Sequence, residues 1–382
     1  MDKDLFFVYR GDNIIPPDIT HLQIHSTVVV SDFSNLTSTI THIKFDFWYN
    51  KIVRLPPSIT HLTFGYNYNQ IIQLPPSITH LTFGNDYNQI TKLPPSITHL
   101  TFGNNYNQIT ELPPSITHLS FGDNYNQITE LPPSITHLSF GFYYNQLTQL
   151  TPNITRLEFG FNYNQITQLT PNITHLVFGC NYNQITQLTP NITYLKFGSD
   201  YNQITSLTPH ITHLEFGCNY DQITQLTPNI THLKFGSSYD QVTQLSPNIT
   251  HLTFGIKYNQ ITRLPPNITH LTFGFSFNQI THIPDSVTNL EFGYKYDQIT
   301  RLPKNLICFK IDPLCKPAQV HHFIKELHNC FFLTKSNIYW ASLNENMKIN
   351  KHNVEMKSMS LIHIGLFNLF AGCLDDLIMK QL

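Results

Sequence analysis

Fourteen phenylalanines stand 19 residues apart, at Phe45, Phe64, Phe83, Phe102, Phe121, Phe140, Phe159, Phe178, Phe197, Phe216, Phe235, Phe254, Phe273 and Phe292. No insertion breaks the spacing. Ile311 falls 19 residues after the last of them and Ile24 lies 21 before the first, which gives sixteen turns when both degenerate ends are counted. A fixed short period of this kind means a solenoid, in which each unit rests on its neighbours and cannot bury its apolar face alone.

Residues 107–125, N-Q-I-T-E-L-P-P-S-I-T-H-L-S-F-G-D-N-Y, represent one turn. Leu119 and Phe121 alternate, so both point to one side of a short strand while His118 and Ser120 point to the other. Stacked turns then form a parallel sheet with a wet face. Pro113-Pro114 cannot continue an α-helix and holds the return path extended or polyproline-like. Ile109, Leu112, Ile116, Leu119 and Phe121 are the expected core of the turn. The fold class expected is mainly β: a solenoid of 19-residue turns with a parallel sheet on one face, a non-helical back and low curvature, spanning ~75 Å at ordinary strand spacing.

Three regions follow. Residues 1–18 read as an N-terminal cap, residues 19–311 as the solenoid, and residues 312–382 as a partly helical C-terminal cap. In the last of these, residues 317–331 place Val320, Phe323, Ile324, Leu327 and Phe331 on one helical stripe. The apolar run 361–374 is shorter than the ~20 residues that span a bilayer, so a buried cap helix is expected rather than a membrane anchor.

The unit is similar to the leucine-rich repeat, and more closely to the FNIP repeat, a leucine-rich-repeat-like family with units of the form F-N-x-x-I…I-P-x-S-V-x-x-L-x-F-G. Phe277-Asn278-Gln279-Ile280, Ile283-Pro284-Asp285-Ser286-Val287 and Leu290-Glu291-Phe292-Gly293 carry the resemblance almost letter for letter. Most other units put Tyr for the first Phe and Leu for the Ile before Pro. The resemblance implies protein interaction rather than catalysis. Some members of the family carry an amino-terminal F-box; only about 18 residues precede the first turn here, so none is expected.

Stacking like turns produces rows of like side chains. The Asn/Asp row, including Asn69, Asn88, Asn107 and Asn126, is expected to bond local backbone, and the row of Tyr68, Tyr87, Tyr106 and Tyr125 to staple turns by offset stacking. The row of Gly103, Gly122 and Gly141, with Asp46 its one departure, is expected to supply a backbone angle that other residues resist. Histidines at 21, 42, 61, 80, 99, 118, 137, 175, 213, 232, 251 and 270 share the first wet-face position of the strand, interrupted by Arg156, Tyr194 and Asn289. A ladder of neutral imidazoles fits this row better than metal, whose ligands converge rather than line up. Mutual repulsion should lower the pKa values in it.

The second wet-face position varies from turn to turn, and variation on a repeated frame is where partner specificity is written. The partner-binding face expected is His137, Arg156, Glu158, His175, Val177, Tyr194, Lys196, His213 and Glu215, where the uniformity breaks. A formal charge of -2 offers no basic field for nucleic acid. Six cysteines in 382 residues form no disulfide framework, which places the chain in a reducing compartment such as the cytoplasm. The Asn-Ile-Thr triplets from Asn153 to Asn267 then belong to the repeat and not to glycosylation. No phosphate loop, nucleophile elbow or cofactor motif occurs, so no catalytic, cofactor or metal residues are assigned. The function expected is a scaffold that binds a protein partner; the alternative is a substrate-recognition subunit of a ubiquitin ligase.

Overall fold

The computed structural model describes residues 6–109, 111–127, 130–241, 244–259, 263–278, 282–293, 301–311, 330–334 and 337–341. Strand β1 is Phe7–Tyr9, β2 His21–Ile24 and β3 His42–Phe45; twelve three-residue strands follow at 19-residue intervals, from β4, His61–Thr63, to β15, His270–Thr272. After them come β16, Asn289–Phe292, β17, Cys308–Ile311, β18, Cys330–Thr334, and β19, Asn337–Ala341. Each strand from β1 to β17 pairs in parallel with the next, and the β18–β19 pair is antiparallel. Of the expected 317–331 helix, Cys330 and Phe331 belong to β18 instead; the rest, like the run 361–374, lies outside the described residues. The run Cys-Phe-Phe-Leu-Thr is continuously apolar up to its last residue, and such a short run does not distinguish helix from buried strand.

Like residues stack on like in register: His118 opposes His99 and His137, and Leu119 opposes Leu100 and Leu138. In the representative turn Ile116, Leu119, Phe121 and Tyr125 are buried, each contributing roughly 1.5 to 3 kcal/mol. Phe121 stacks on Tyr125 at 4.4 Å and meets Phe102 at 5.9 Å, so the two aromatic columns lock each turn to the next.

Three expectations need correction. The first concerns curvature. Across one pair of turns the imidazoles of His99 and His118 are 4.0 Å apart, whereas Phe102 and Phe121 are 5.9 Å apart and Tyr106 and Tyr125 6.0 Å apart. Equivalent atoms in a straight stack would be equally spaced. The 1.9 Å difference means that the stack bends toward the histidine side. The histidine face is therefore the inner one at these turns. Bulky stacked aromatics on the core side and close-packed imidazoles on the other produce this bend.

The second correction concerns glycine. Gly11 is the only described glycine with positive φ, so the row from Gly65 to Gly293 does not serve a left-handed backbone. It serves close approach: a Cβ on Gly122 would lie 1.9 Å from Gly103 O, far inside contact distance. Asp46 opens the row, above a turn that departs from the repeat, and there its carboxylate accepts from the Ser26 and Phe47 amides.

The third concerns the back. Ile109 is 73% exposed, as are Ile52, Ile71 and Ile90 to similar extents, while the equivalent Ile166, Ile185, Ile204 and Ile223 are buried. In the Pro-Pro turns the next residue, Val53, Ile72 or Thr91, enters the core instead. The residue before a proline is held extended. Replacing the first proline by Thr170 or Thr189 moves that constraint one residue along and slips the back by one position. In these Thr-Pro turns the buried tyrosine hydroxyls donate to carbonyls of the preceding turn, as Tyr182 does to Ile166 O and Tyr201 to Ile185 O.

The remaining rows knit the turns together. Asn88 Oδ1 accepts from the Asn107 amide and from Gln108 Nε2, both at 3.0 Å, so the asparagine ladder bonds the next turn's backbone rather than its own. Asn153, Asn172 and Asn191 donate Nδ2 to the carbonyls of Pro133, Pro152 and Pro171, which gives the Asn-Ile-Thr triplets a structural role. Cys180 and Cys218 are free thiols, each beside a serine of the next turn, Ser199 at 3.7 Å and Ser237 at 3.8 Å.

Candidate binding groove

The strand β7, His118–Ser120, shows how the concave face is built. Thr117, just before it, donates its hydroxyl to Thr98 O at 3.2 Å, and its Oγ1 lies 2.9 Å from His118 Nδ1. Thr155 and Thr193 make the same carbonyl bond at 3.2 Å although Arg and Tyr, not His, follow them. The threonine proton is therefore committed to the backbone whether or not a histidine follows. We assign Nδ1–H as the donor to Thr Oγ1, which leaves the far nitrogen, Nε2, as a lone-pair acceptor on the concave side. From His80 to His137 the rings that carry these acceptors are stacked 4.0 Å apart, centre to centre.

Burial first, and neighbouring histidines or Arg156 second, hold His61, His118 and His251 below the ordinary imidazole range, at about 4. His80, His137, His175 and His232 move in the same direction. The direction matches the expectation, but burial outweighs the repulsion it was based on. Among the described residues no group of three His, Cys, Asp or Glu is placed to hold a metal ion. Side chains lined up one per turn do not converge on one centre.

The ladder is interrupted at β9, Arg156–Glu158, and again at β11, Tyr194–Lys196. Between β8, His137–Ser139, and β10, His175–Val177, Arg156 lies in register with His137 and His175, and Glu158 with Ser139 and Val177. Tyr194 stands 5.8 Å from His175 and 6.0 Å from His213, which opens β12, His213–Glu215. A groove of about 820 Å³ runs along the concave face from His99 to His213 with Arg156 at its midpoint.

Eight of the nine expected residues, His137, Arg156, Glu158, His175, Val177, Tyr194, Lys196 and His213, line this groove. The ninth, Glu215, lies just past it and is held between Lys196 at 3.4 Å and Lys234 at 2.8 Å. The sequence reading missed an exposed aromatic cluster. Phe142 stacks on Phe161 at 4.4 Å with Tyr143 against its edge, all three exposed, just beyond the C-terminal ends of β8 and β9. Its signal was available: the position after the row glycine is polar in the three turns before Phe142. His99, His118 and Ser120 also line the groove. Among the described residues, no helix is long and apolar enough to cross a membrane.

The FNIP Repeat family matches residues 49–86, 87–124, 106–143, 182–219, 241–276, 258–295 and 277–308. A solved structure described as "The crystal structure of CroV588 a novel circular LRR protein structure" is similar with a TM-score of 0.52 and 27% identity. The likeness covers 85% of this chain and 74% of that one. No curated protein matches the chain.

Proposed function

The chain belongs to the FNIP repeat family, and on that premise we propose that it is a non-catalytic scaffold that holds a protein partner in the concave groove. One observation carries this reading: the repeat breaks its own pattern on the concave face at Arg156, Glu158, Tyr194 and Lys196, and those positions line a single groove of about 820 Å³. The rest of the turn is committed to stacking. A rigid frame with a locally altered face suits selective recognition, because little ordering cost is left for the moment of binding. Free thiols at Cys180, Cys218 and Cys308 suit work in a reducing cytoplasm.

The test restores the repeat. Arg156→His, Glu158→Thr and Lys196→Thr use residues that other turns already carry at the same positions, so the fold is retained. Affinity capture with the full chain should recover a partner that this triple variant loses. Identical capture by both proteins would refute the groove as the binding face. Co-purification with a ubiquitin-ligase core is the observation that would favour the ligase-receptor alternative.

A further inference from the structure

Charged side chains from β11 to β17 are matched across the sheet. Glu215 is shared by Lys196 and Lys234, and Glu291 meets Lys310 at 2.8 Å. Arg156 and Glu158 have no such match. Arg156 occupies the histidine row, so the strands on either side offer it His137 and His175; Glu158 is flanked by Ser139 and Val177. No described residue forms an ion pair with either, and both are exposed on the floor of the groove.

A guanidinium presents a planar fork of donors that fits a carboxylate through two parallel bonds. The histidines flanking Arg156 donate Nδ1–H to Thr136 and Thr174, contacts of 2.9 Å each, which leaves Nε2 acceptors on both sides. Backbone N–H groups of a peptide complement those acceptors, whereas a bare anion has no donors to offer them. Arg156 sits midway between the ends of the groove at His99 and His213. Six inter-strand steps of ~4 to 5 Å give the groove a length of roughly 27 Å, room for about eight extended residues. A central anchor suits a residue with chain continuing on both sides.

We propose that Arg156 binds the side-chain carboxylate of an internal Asp or Glu in an extended peptide segment of the partner, lying along the groove. This rests on the scaffold reading and deepens it to the chemistry of the bound segment.

The test is selection from a displayed library of random peptides of about twelve residues, longer than the groove, on the full chain. Selected peptides are then measured by fluorescence polarisation against the wild type, Arg156→His and Val177→Lys. The expected result is a shared internal Asp or Glu, with at least roughly tenfold weaker binding to Arg156→His, as a charge-assisted hydrogen-bond pair implies. Replacing that peptide residue by its amide should cost as much, and the two changes together should cost little more than either alone. Peptides without an acidic residue, or ones that bind Arg156→His undiminished yet are displaced by Val177→Lys, overturn the carboxylate anchor and leave the scaffold reading in place. Peptides indifferent to both substitutions overturn both, whereas no selected peptide at all overturns the extended-peptide anchor and leaves the scaffold reading to the capture experiment.

Discussion

Acid should weaken this protein well before its carboxylates protonate. Imidazoles in the unfolded chain titrate near ~6.5, and burial with neighbouring imidazoles holds His61, His118 and His251 at about 4 in the folded ladder. Between those values the unfolded chain binds more protons than the folded one, so stability rises with pH. The contribution is fully present above the unfolded value and is lost as pH falls toward the folded one. At full strength the gap is worth roughly 3 kcal/mol per ring. These rings are half open to water, and screening reduces this to about 1 kcal/mol each, or about 3 kcal/mol for the three. The acidic groups act in a lower window. Burial pushes the Asp46 carboxyl up, but the Phe47 and Ser26 hydrogen bonds outweigh it and leave it below the usual range.

The assay is the urea midpoint, followed by far-UV circular dichroism, at steps from pH ~7.5 down to ~4.5, spanning the ordinary imidazole range. The control is a triple variant, His61→Asn, His118→Asn and His251→Asn, because Asn289 already occupies this row in register with His270. The wild-type midpoint should fall steadily below pH ~6.5 while that of the variant falls less. A wild-type midpoint that stays level down to pH ~4.5, or an identical slope in the variant, would show that the ladder is not held neutral by the fold.

Two further outcomes are expected from the packing. Gly122→Ala places a methyl 1.9 Å from Gly103 O, a backbone atom that cannot turn aside. It should cost more than about 3 kcal/mol, above ordinary overpacking, and lower the thermal midpoint sharply, whereas an unchanged midpoint would contradict the close approach of the turns. Ile109→Ala should change stability by less than about 0.5 kcal/mol, whereas Ile166→Ala should cost about 2 to 5 kcal/mol, since the first side chain is 73% exposed and the second 1%. Equal costs in urea titrations of the two variants would refute the one-residue slip of the back.

What could be read from the residues was whatever depends on spacing. The 19-residue period, the parallel register, the inward Leu119 and Phe121 and the outward His118 all follow from alternation and repetition, and eight of the nine residues chosen for broken uniformity lie together in one groove. What could not be read depends on distances between layers. Whether the turns stack straight or bent is decided by the difference between 4.0 Å at the imidazoles and 5.9 Å at the phenylalanines, which no letter states. The role of Gly122 likewise lies in the position of Gly103 O one turn away. The slip of the back was legible in principle, since Leu-Pro-Pro and Leu-Thr-Pro impose the pre-proline constraint one residue apart. Treating the two turn types as equivalent assigned Ile109 to the core.

Curvature joins these separate observations to the groove. A flat sheet would present Arg156 and Glu158 as isolated charges on an open surface, where an exposed ion pair with any partner is worth at most about 1 kcal/mol. Bending toward the histidine side brings the flanking strands round the midpoint and stacks the imidazoles closer than strand spacing. The same aromatic columns that hold the turns together therefore set the depth of the site. Substitutions in the Phe121 column should alter binding at Arg156 without touching the groove, by changing the spacing on the outer side of the bend.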